Sequence, residues 1–322
     1  MRIIVTGAAG FVGSHLVDRY LADGHIVVGI DNLLTGDPRN LEAARPSSDF
    51  SFLVADVAAE GFDLGAAALR ADLIVHCASP ASPVDYAKAP LETMAANSLG
   101  TWHCAQAASA WSARLLYAST SEVYGDPLEH PQPESYWGNV NPIGPRACYD
   151  ESKRFGEALV TSYVRSLELD ARIVRIFNTY GPRMRADDGR VIPNFIGQAL
   201  AGNALTIYGD GSQTRSFCYV SDLVDGIVRC AASDKTRGVV VNLGNPQELT
   251  IGQLAAKISE MLGVPLAIER SPMPADDPGR RRPDISRARE LLGWEPRVSL
   301  DEGLRATIED FRTRATRAGS RA

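Results

Sequence analysis

Short apolar runs and amphipathic stretches alternate along the first 180 residues of the chain. The apolar runs are bounded by glycine or polar residues and predict buried strands at 3–6, 26–30, 50–54, 72–77, 114–118 and 172–177. Apolar residues recur at helical spacing in the stretches between them, chiefly 11–22, 91–111 and 147–168. This alternation predicts an α/β fold of the Rossmann type, with a doubly wound, mainly parallel sheet covered by helices on both faces.

The alternation of strands and helices becomes irregular after residue 180, where prolines and glycines interrupt it. Near 217–243 a helix and a strand are again predicted to join the main sheet. Residues 250–322 then predict a helix, a short strand, a basic loop and more helix. We therefore expect a nucleotide-binding domain formed by 1–179 plus 217–249. Residues 180–216 plus 250–322 are expected to form a smaller C-terminal substrate-binding lobe.

Composition narrows the class of protein. The 322 residues are 45% hydrophobic and 22% charged, as in ordinary globular domains. The net charge of −6 argues against a nucleic-acid partner, which requires a basic surface. Five scattered cysteines without C-x-x-C spacing indicate reduced thiols, with neither disulfides nor a metal site. No apolar run is long enough to span a membrane, and the chain begins directly on a strand without a signal peptide, so we expect a cytoplasmic protein.

A glycine motif follows the first predicted strand, with Gly7, Gly10 and Gly13 at three-residue spacing. The first glycine permits a tight turn, the second lets the backbone approach a pyrophosphate, and the third allows close helix packing. Phe11 and Val12 open the next helix, whose N-terminus would hold the phosphate. A simple glycine-rich turn is the alternative interpretation.

Asp31 ends the second predicted strand, 24 residues after Gly7, where an acid would accept a hydrogen bond from a ribose hydroxyl. A carboxylate there repels a 2′-phosphate, and the nearest following cation is Arg39, so the sequence favours NAD over NADP. Other cofactor contacts are assigned by their position after strands and could be plain loop residues: Asn32, Thr35, Gly36, Asp56, Val57, Ala78, Ser79, Ala118 and Thr179.

Tyr149 and Lys153 are four residues apart and therefore share one face of a helix. We expect the ammonium group to lower the pKa of the tyrosine from about 10, so that the phenolate can act as a general base. A Tyr-x-x-x-Lys pair alone is a weak signal. Together with the glycine motif it predicts redox chemistry, in which both residues also contact the cofactor.

The glycine motif and the Tyr-x-x-x-Lys pair together resemble the extended short-chain dehydrogenase/reductase family. Further segments resemble the UDP-glucuronate decarboxylases of that family, over residues 1 to about 312: they lie at 79–83, 119–126, 136–142, 175–184 and 208–217. The resemblance implies an enzyme that converts UDP-glucuronate to UDP-xylose with bound NAD. It also implies a homodimer, which we expect to bury Ala105, Ala107, Ala108, Trp111, Leu159 and Val160 between two copies.

The resemblance also implies a mechanism. Tyr149 would remove the C4 hydroxyl proton while NAD⁺ takes the C4 hydride, giving a ketone β to the C6 carboxylate. Loss of CO₂, protonation at C5 and return of the hydride would yield UDP-xylose and regenerate NAD within one turnover. Thr120 is expected to bond the C4 oxygen, and Glu122 to orient the sugar and relay the C5 proton. A solvated loop acid is the alternative for Glu122.

Ser121 separates this reaction from a related one. The related nucleotide-sugar 4,6-dehydratases carry Asp-Glu where this chain has Ser121 and Glu122, and that Asp protonates a departing C6 hydroxyl. A serine does not donate this proton readily, and an Asp beside a substrate carboxylate would repel it. The serine therefore fits an acidic sugar.

The resemblance also implies contacts with the substrate, at the positions of this chain that match the family's motifs. Arg215 and Arg281 are the candidates for the diphosphate, because guanidinium binds phosphate bidentately. Ala95 stands where relatives often have lysine, which removes one cation. The remaining candidates are Pro80, Ser82, Asn178, Arg190, Val191 and Tyr208, of which Tyr208 could equally be a core residue.

Four other functions remain open from the sequence. A nucleotide-sugar 4-epimerase or 4,6-dehydratase uses the same fold and base, although Ser121 and Glu122 weigh against both. An oxidative decarboxylase would release the 4-keto pentose with NADH, a difference that the sequence separates poorly. A redox-sensing binding module usually lacks the tyrosine or the lysine, and this chain has both.

Overall fold

The computed structural model describes residues 1–68, 70–273 and 279–319. In these residues the strands are β1 (Arg2–Thr6), β2 (Ile26–Asp31), β3 (Phe50–Val54), β4 (Leu73–His76), β5 (Arg114–Thr120), β6 (Ala171–Ile176), β7 (Thr179–Tyr180), β8 (Leu205–Tyr208), β9 (Thr214–Ser216), β10 (Cys218–Tyr219), β11 (Val240–Leu243), β12 (Glu248–Thr250), β13 (Ile268–Ser271) and β14 (Arg280–Arg281).

The helices of the same described residues are α1 (Phe11–Ala22), α2 (Leu64–Ala68), α3 (Pro83–Lys88), α4 (Pro90–Ala95), α5 (Thr101–Trp111), α6 (Ala147–Leu167), α7 (Val191–Leu200), α8 (Val220–Ala232), α9 (Ile251–Leu262), α10 (Ser286–Leu292) and α11 (Leu300–Gly319). Short 3₁₀ turns cover Pro38–Leu41, Ser121–Tyr124 and Asp234–Thr236, and a π-helical turn covers Ala96–Gly100.

The main sheet has seven strands within the described residues, in the order β11-β6-β5-β4-β1-β2-β3. Every neighbouring pair in it is parallel. The strand order reverses between β1 and β4, which leaves a crevice at the carboxyl ends of the strands where α/β proteins bind ligands. The predicted Rossmann-type fold is confirmed, and each predicted strand lies within two residues of an observed one.

Hydrophobic side chains cover both faces of this sheet. Leu16 of α1 and Ile227 of α8 are fully buried on one face, and Ala105 of α5 and Val160 of α6 are fully buried on the other. Strands buried on both faces must be apolar nearly throughout, which is why they read as continuous apolar runs in the sequence.

A separate cluster of buried residues joins α7, α9 and α11 to β8, with Phe195, Leu254 and Leu304 almost fully buried within it. Beside this cluster, β9 pairs with β12 and β14 in a small sheet. The pairing of β14 with β9 sets Arg281 in register with Arg215. Two arginines far apart in the sequence are thereby brought to one end of the crevice.

The predicted single helix at 91–111 is wrong in one respect: it is interrupted by the π-helical turn between α4 and α5. The Ser98 hydroxyl donates to the Met94 carbonyl (2.6 Å), and the Thr101 hydroxyl donates to the Asn97 carbonyl (2.7 Å). Hydroxyls that bond back to carbonyls four residues earlier compete with the helical ladder and bend helices. Regular spacing of apolar residues does not reveal such a local change.

Gly156 lets α6 lie close against the central strand β5. A Cβ at this position would lie 2.1 Å from the Tyr117 hydroxyl oxygen, and Tyr117 is fully buried. Replacing a helical glycine with alanine usually stabilises a protein by about 0.5–1 kcal/mol. We expect Gly156→Ala to destabilise this protein by about 1–3 kcal/mol instead, because the added methyl group overpacks the core.

Urea denaturation checks this prediction, with Gly197→Ala in α7 as a matched control. A Cβ at Gly197 would meet no heavy atom closer than 4.0 Å, so this variant should be as stable as the wild type or slightly more stable. Equal stabilisation by both substitutions would show that the close contact of α6 with β5 does not limit the core.

Candidate active site

The glycine motif forms a tight turn between β1 and α1. Gly7 has a φ of +72°, and a Cβ there would lie 2.8 Å from the Ala78 backbone nitrogen. A Cβ on Gly13 would lie 2.0 Å from the Gly7 carbonyl oxygen, so a side chain is excluded at both positions. Gly10 precedes Phe11 as the N-cap of α1 and has no side chain with which to cap it. The first N–H groups of α1 can therefore serve a phosphate.

Asp31 lies at the end of β2, where the sequence predicts the ribose contact. Its two carboxylate oxygens accept hydrogen bonds from the backbone N–H groups of Ala9 (2.9 Å) and Leu33 (2.8 Å). Burial raises the pKa of Asp31, and these hydrogen bonds oppose that rise. Each oxygen retains a second lone pair that can accept from a ribose hydroxyl. This arrangement fits the adenosine half of NAD.

A small cavity beside this turn is lined by most of the residues predicted to contact the cofactor. Its lining includes Gly7, Gly10, Asp31, Asn32, Thr35, Asp56, Val57, Ala78 and Ser79. Gly36 packs closely against Asp31 of this cavity, since a Cβ there would lie 2.7 Å from a carboxylate oxygen of Asp31. Pro80, a predicted substrate contact, also lines this cavity.

A larger cavity of about 590 Å³ lies next to it, between the main sheet and the lobe. It brings together Phe11, Val12, Ala118, Thr120, Glu122, Tyr149, Lys153, Asn178, Thr179, Arg190, Val191, Tyr208, Arg215 and Arg281. Ser82, a predicted substrate contact, is buried, and its hydroxyl accepts from the Asp85 N–H (3.2 Å) to cap α3. Tyr208 is 42% exposed at the cavity, so it is not a core residue.

Tyr149 and Lys153 lie on one face of α6, at the wall of the larger cavity. The Tyr149 ring stacks on the Tyr86 ring with centroids 5.1 Å apart, which fixes its plane. The Lys153 Nζ donates to the Ala118 carbonyl oxygen (2.7 Å) and lies 5.9 Å from the centroid of the Tyr149 ring. Thr120, at the end of β5, forms a hydrogen bond with the Tyr149 phenol. Tyr149, Lys153 and Thr120 therefore lie together at the wall of the larger cavity.

The expected lowering of the Tyr149 pKa by Lys153 is wrong for the chain by itself. Burial raises the pKa of Tyr149, and the hydrogen bond with Thr120 only partly opposes this. Burial also lowers the pKa of Lys153 to about 8, so its ammonium group keeps most of its charge at pH 7 and loses it at a lower pH than an exposed lysine does. The four-residue spacing correctly places Lys153 near Tyr149, but the burial of both side chains changes their pKa values more than their proximity does.

Glu122 lies in the turn after β5, which runs two residues further than predicted, to Thr120. One oxygen of its carboxylate accepts from Arg281 Nη1, and the other accepts from Arg146 Nη2 (2.6 Å). Burial alone would raise the pKa of Glu122, but the two guanidinium groups lower it to about 2. A carboxylate this acidic is a poor proton donor near neutral pH. The two guanidinium contacts agree with the predicted orienting role of Glu122, and its predicted proton relay stays a prediction.

Arg281 does not have the surroundings predicted for a diphosphate ligand. Besides Glu122, its guanidinium donates to the Gly125 carbonyl oxygen (3.3 Å), and the residue is only 3% exposed. Arg281 lines the larger cavity together with Tyr149, and its predicted contact with the diphosphate stays a prediction. Arg215 is also buried, and its guanidinium donates to the Thr214 and Gly279 carbonyls.

Arg146 is a site residue that the sequence analysis missed. It precedes α6 as its N-cap residue and lines the larger cavity with Glu122. A signal for it exists in the sequence. A cation at a helix N-terminus is disfavoured by the helix dipole, so an arginine at this position calls for an acidic partner.

The arrangement of a glycine turn, a ribose-binding acid and a tyrosine–lysine pair at a sheet crevice defines a class of proteins. The chain matches the NAD dependent epimerase/dehydratase family over residues 3–244 and belongs to it. Within this class it is similar to UDP-glucuronic acid decarboxylases. UDP-glucuronic acid decarboxylase 1 of Arabidopsis thaliana is 50% identical over 314 residues, which cover 98% of this chain and 70% of the relative.

Two further matches agree with this placement. UDP-glucuronic acid decarboxylase 1 of Danio rerio is 51% identical over 310 residues, or 96% of this chain and 72% of the relative. The solved UDP-glucuronic acid 4-epimerase of Bacillus cereus, in complex with UDP-glucuronic acid and NAD, superposes with a TM-score of 0.88. It is 30% identical, and the match covers 97% of this chain and 99% of that one. The predicted family and cofactor, NAD, are confirmed.

Proposed function

We propose that this chain catalyses the NAD-dependent decarboxylation of UDP-glucuronate to UDP-xylose through a 4-keto intermediate. The observation that carries the proposal is the shared cavity, in which Tyr149 and Lys153 face the buried cluster of Glu122, Arg146 and Arg281. The first pair serves oxidation at C4, and the cluster suits a sugar that carries a carboxylate. The similarity to UDP-glucuronic acid decarboxylases over 98% of the chain supports the same function.

Tyr149 takes the proton of the C4 hydroxyl in the first step. NAD, when bound, accepts the hydride from C4 and later returns it, and its oxidised ring carries a positive charge. Positive charge beside a phenol lowers its pKa, and both Lys153 and the oxidised ring would supply such charge. The pKa of Tyr149, which burial raises, therefore falls toward the pH at which the enzyme works. Thr120 holds the same oxygen through its hydroxyl.

The second step follows from the chemistry of the oxidised sugar. The C4 ketone is β to the C6 carboxylate, so the electrons of the C5–C6 bond move toward the C4 oxygen as CO₂ leaves. Hydroxyl groups of Tyr149 and Thr120 at that oxygen stabilise the enolate that forms. Protonation at C5 and reduction at C4 then complete the pentose.

The charged cluster recognises the acidic end of the sugar. Glu122 stays ionised and fixes the guanidinium groups of Arg146 and Arg281 on its two sides. The guanidinium groups of Arg146 and Arg281 line this wall, and cations there favour a carboxylate in the cavity. Glu122 itself repels a second carboxylate, and loss of CO₂ removes that repulsion.

The nucleotide half of the substrate lies toward the lobe in this proposal. Residues of the larger cavity that belong to α7, β8, β9 and the segment after β6 would hold it: Asn178, Arg190, Val191, Tyr208 and Arg215. The proposed domain division is 1–179 plus 217–249 for the NAD-binding domain and 180–216 plus 250–322 for the lobe. The separate hydrophobic cluster of the lobe supports this division.

Of the six residues predicted for the homodimer interface, four are buried within the chain, and Ala107 and Trp111 are partly buried. Ala105, Ala108, Val160 and nearly all of Leu159 are buried within the chain itself, where they pack toward its own sheet. Exposed apolar side chains on the same group of helices include Leu91, Met94, Leu99, Trp102 and Phe155. Several exposed apolar side chains on neighbouring helices are typical of an interface between two copies.

Light scattering at micromolar concentration tests the dimer. We expect the mass of two chains for the wild type and of one chain for Phe155→Glu, because a charge would be buried between the copies. Leu128→Glu is the control, since Leu128 is 82% exposed on a loop and should not alter the mass. A monomeric wild type would contradict the proposal.

The predicted compartment, the cytoplasm, stays a prediction. All five cysteines are free thiols, which agrees with a reducing compartment. None of the helices in the described residues combines the length and the apolar composition that crossing a membrane requires.

Product analysis tests the proposed function directly. Incubation with UDP-glucuronate and a catalytic amount of NAD should give a product lighter by one CO₂ and identical to UDP-xylose by NMR. A product of unchanged mass with inverted C4 would indicate a 4-epimerase. A released 4-keto pentose with one equivalent of reduced cofactor would indicate an oxidative decarboxylase.

A further inference from the structure

Residues 182–189 form a segment between β7 and α7 that runs from α1 to α3. At one end, Arg183 Nη2 donates to a carboxylate oxygen of Asp18 in α1 (2.5 Å). At the other end, Gly189 packs against α3, since a Cβ on this glycine would lie 2.4 Å from the Val84 side chain. Both ends of the segment are therefore held by helices that follow the strands of the cofactor crevice.

Arg185 lies in the middle of this segment, and each of its three guanidinium nitrogens donates a hydrogen bond to another part of the protein. Nη1 donates to the Thr35 carbonyl oxygen (3.4 Å), and Nη2 donates to a carboxylate oxygen of Asp85 (2.8 Å). Nε donates to the Asp187 carboxylate (3.1 Å). The Asp85 side chain is 12% exposed and that of Asp187 is 79% exposed. Water screens an exposed pair, so the pair with Asp85 is the stronger of the two.

The partners Thr35 and Asp85 lie on opposite sides of the glycine turn. Thr35 follows β2, and Asp85 lies in α3, the first helix after β4. In the main sheet, β1 stands between β2 and β4. The loops after β2 and β4 therefore emerge on either side of the turn that follows β1, at the carboxyl edge where ligands bind. A single guanidinium group joins these two sides.

The same two sides belong to the rims of the two cavities. Thr35 lines the small cavity, whereas Val84 and Tyr86, the neighbours of Asp85, line the larger one. A dinucleotide with its adenosine half in the small cavity and its nicotinamide near Tyr149 has to pass from one cavity to the other at the glycine turn. The bridge made by Arg185 therefore spans the part of the crevice that suits the pyrophosphate of NAD.

We propose that Arg185 is a clasp across the cofactor crevice, which has to open before NAD can enter or leave. The rates of entry and release then both scale with the fraction of molecules in which the clasp is open. Because the hydrogen bonds of the clasp join two parts of the protein, opening it changes both rates by the same factor and leaves the affinity for NAD nearly unchanged. Slow release would keep the reduced cofactor in place until the hydride returns to the sugar.

Stopped-flow fluorescence tests the clasp with NADH as the probe. Protein loaded with NADH is mixed with an excess of NAD⁺, and the loss of bound NADH gives the release rate. Arg185→Ala should release NADH faster by a factor of about 10–100, the size expected for loss of a hydrogen bond between charged groups. The dissociation constant of NADH, measured by titration, should change far less.

A second variant approaches the same bond from its other side. Asp85→Ala should accelerate the release of NADH as Arg185→Ala does, and the double variant should be no faster than either, because the same contact is lost in all three. Asp187→Ala is the matched control. It removes an exposed carboxylate that bonds the same guanidinium without crossing the crevice, so NADH release should stay at the wild-type rate.

Two results would overturn the proposal. The first is release of NADH at the wild-type rate from Arg185→Ala or from Asp85→Ala, whichever is folded at the assay temperature by thermal denaturation. The second is an affinity for NADH that falls by the same factor by which release rises, because Arg185 would then bind the cofactor directly. Neither result bears on the proposed function, since the clasp concerns the cofactor and loss of CO₂ from UDP-glucuronate is measured separately.

Discussion

Replacing Tyr149 with phenylalanine should lower the turnover of UDP-glucuronate by a factor of about 10²–10⁴ while NAD binding is retained. The ring, its stacking on Tyr86 and the packing of α6 remain, and only the hydroxyl that takes the C4 proton is lost. Steady-state rates and the NAD content of the purified variant check this result.

Tyr20→Phe is the matched control for loss of a buried phenol hydroxyl. Tyr20 lies in α1 and is 2% exposed, and its hydroxyl has no hydrogen-bond partner among the described residues. This variant should keep wild-type activity. Undiminished activity of Tyr149→Phe would mean that another group acts as the base.

Substitutions of Glu122 and Arg281 should both impair the enzyme, but one should mainly slow the reaction and the other should mainly weaken substrate binding. Glu122→Gln removes the charge that holds the two guanidinium groups in place, so it should slow the chemical steps more than it weakens binding. Arg281→Ala removes a cation from the cavity wall, so it should weaken binding and hold the oxidised sugar less firmly. Some 4-keto product should then escape and leave the cofactor reduced.

Product analysis together with cofactor absorbance distinguishes these outcomes, and Arg280→Ala is the control. Arg280 is the exposed neighbour of Arg281 and should behave as wild type. Removing one partner of a buried ion pair costs about 3–5 kcal/mol, so thermal denaturation should confirm that the variants are folded at the assay temperature. UDP-xylose as sole product at the wild-type rate from both variants would remove both residues from the mechanism.

The features that could be predicted from the sequence are those that depend on local spacing. Gly7 and Gly13 specify a turn because only glycine fits at these two positions, and Asp31 follows from its place at the end of β2. The placement of Thr120 near Tyr149 follows because ligands bind at the carboxyl ends of parallel strands. These rules need only the order of strands and helices.

The remaining features depend on contacts between distant segments and on burial. Arg281 meets Glu122 across 159 residues, through a short strand of the lobe that has little sequence signal. Desolvation, which reverses the expected pKa shift of Tyr149, depends on the whole surrounding fold. The capping role of Ser82 likewise depends on where α3 begins, which apolar spacing does not specify.

The most direct test of the central claim uses UDP-glucuronate labelled with deuterium at C4, together with less NAD than substrate. If decarboxylation proceeds with internal return of the hydride, the product is UDP-xylose with the deuterium still at C4, and one CO₂ is released for each. A product that keeps C6, or UDP-xylose whose C4 has lost the label, would contradict the account.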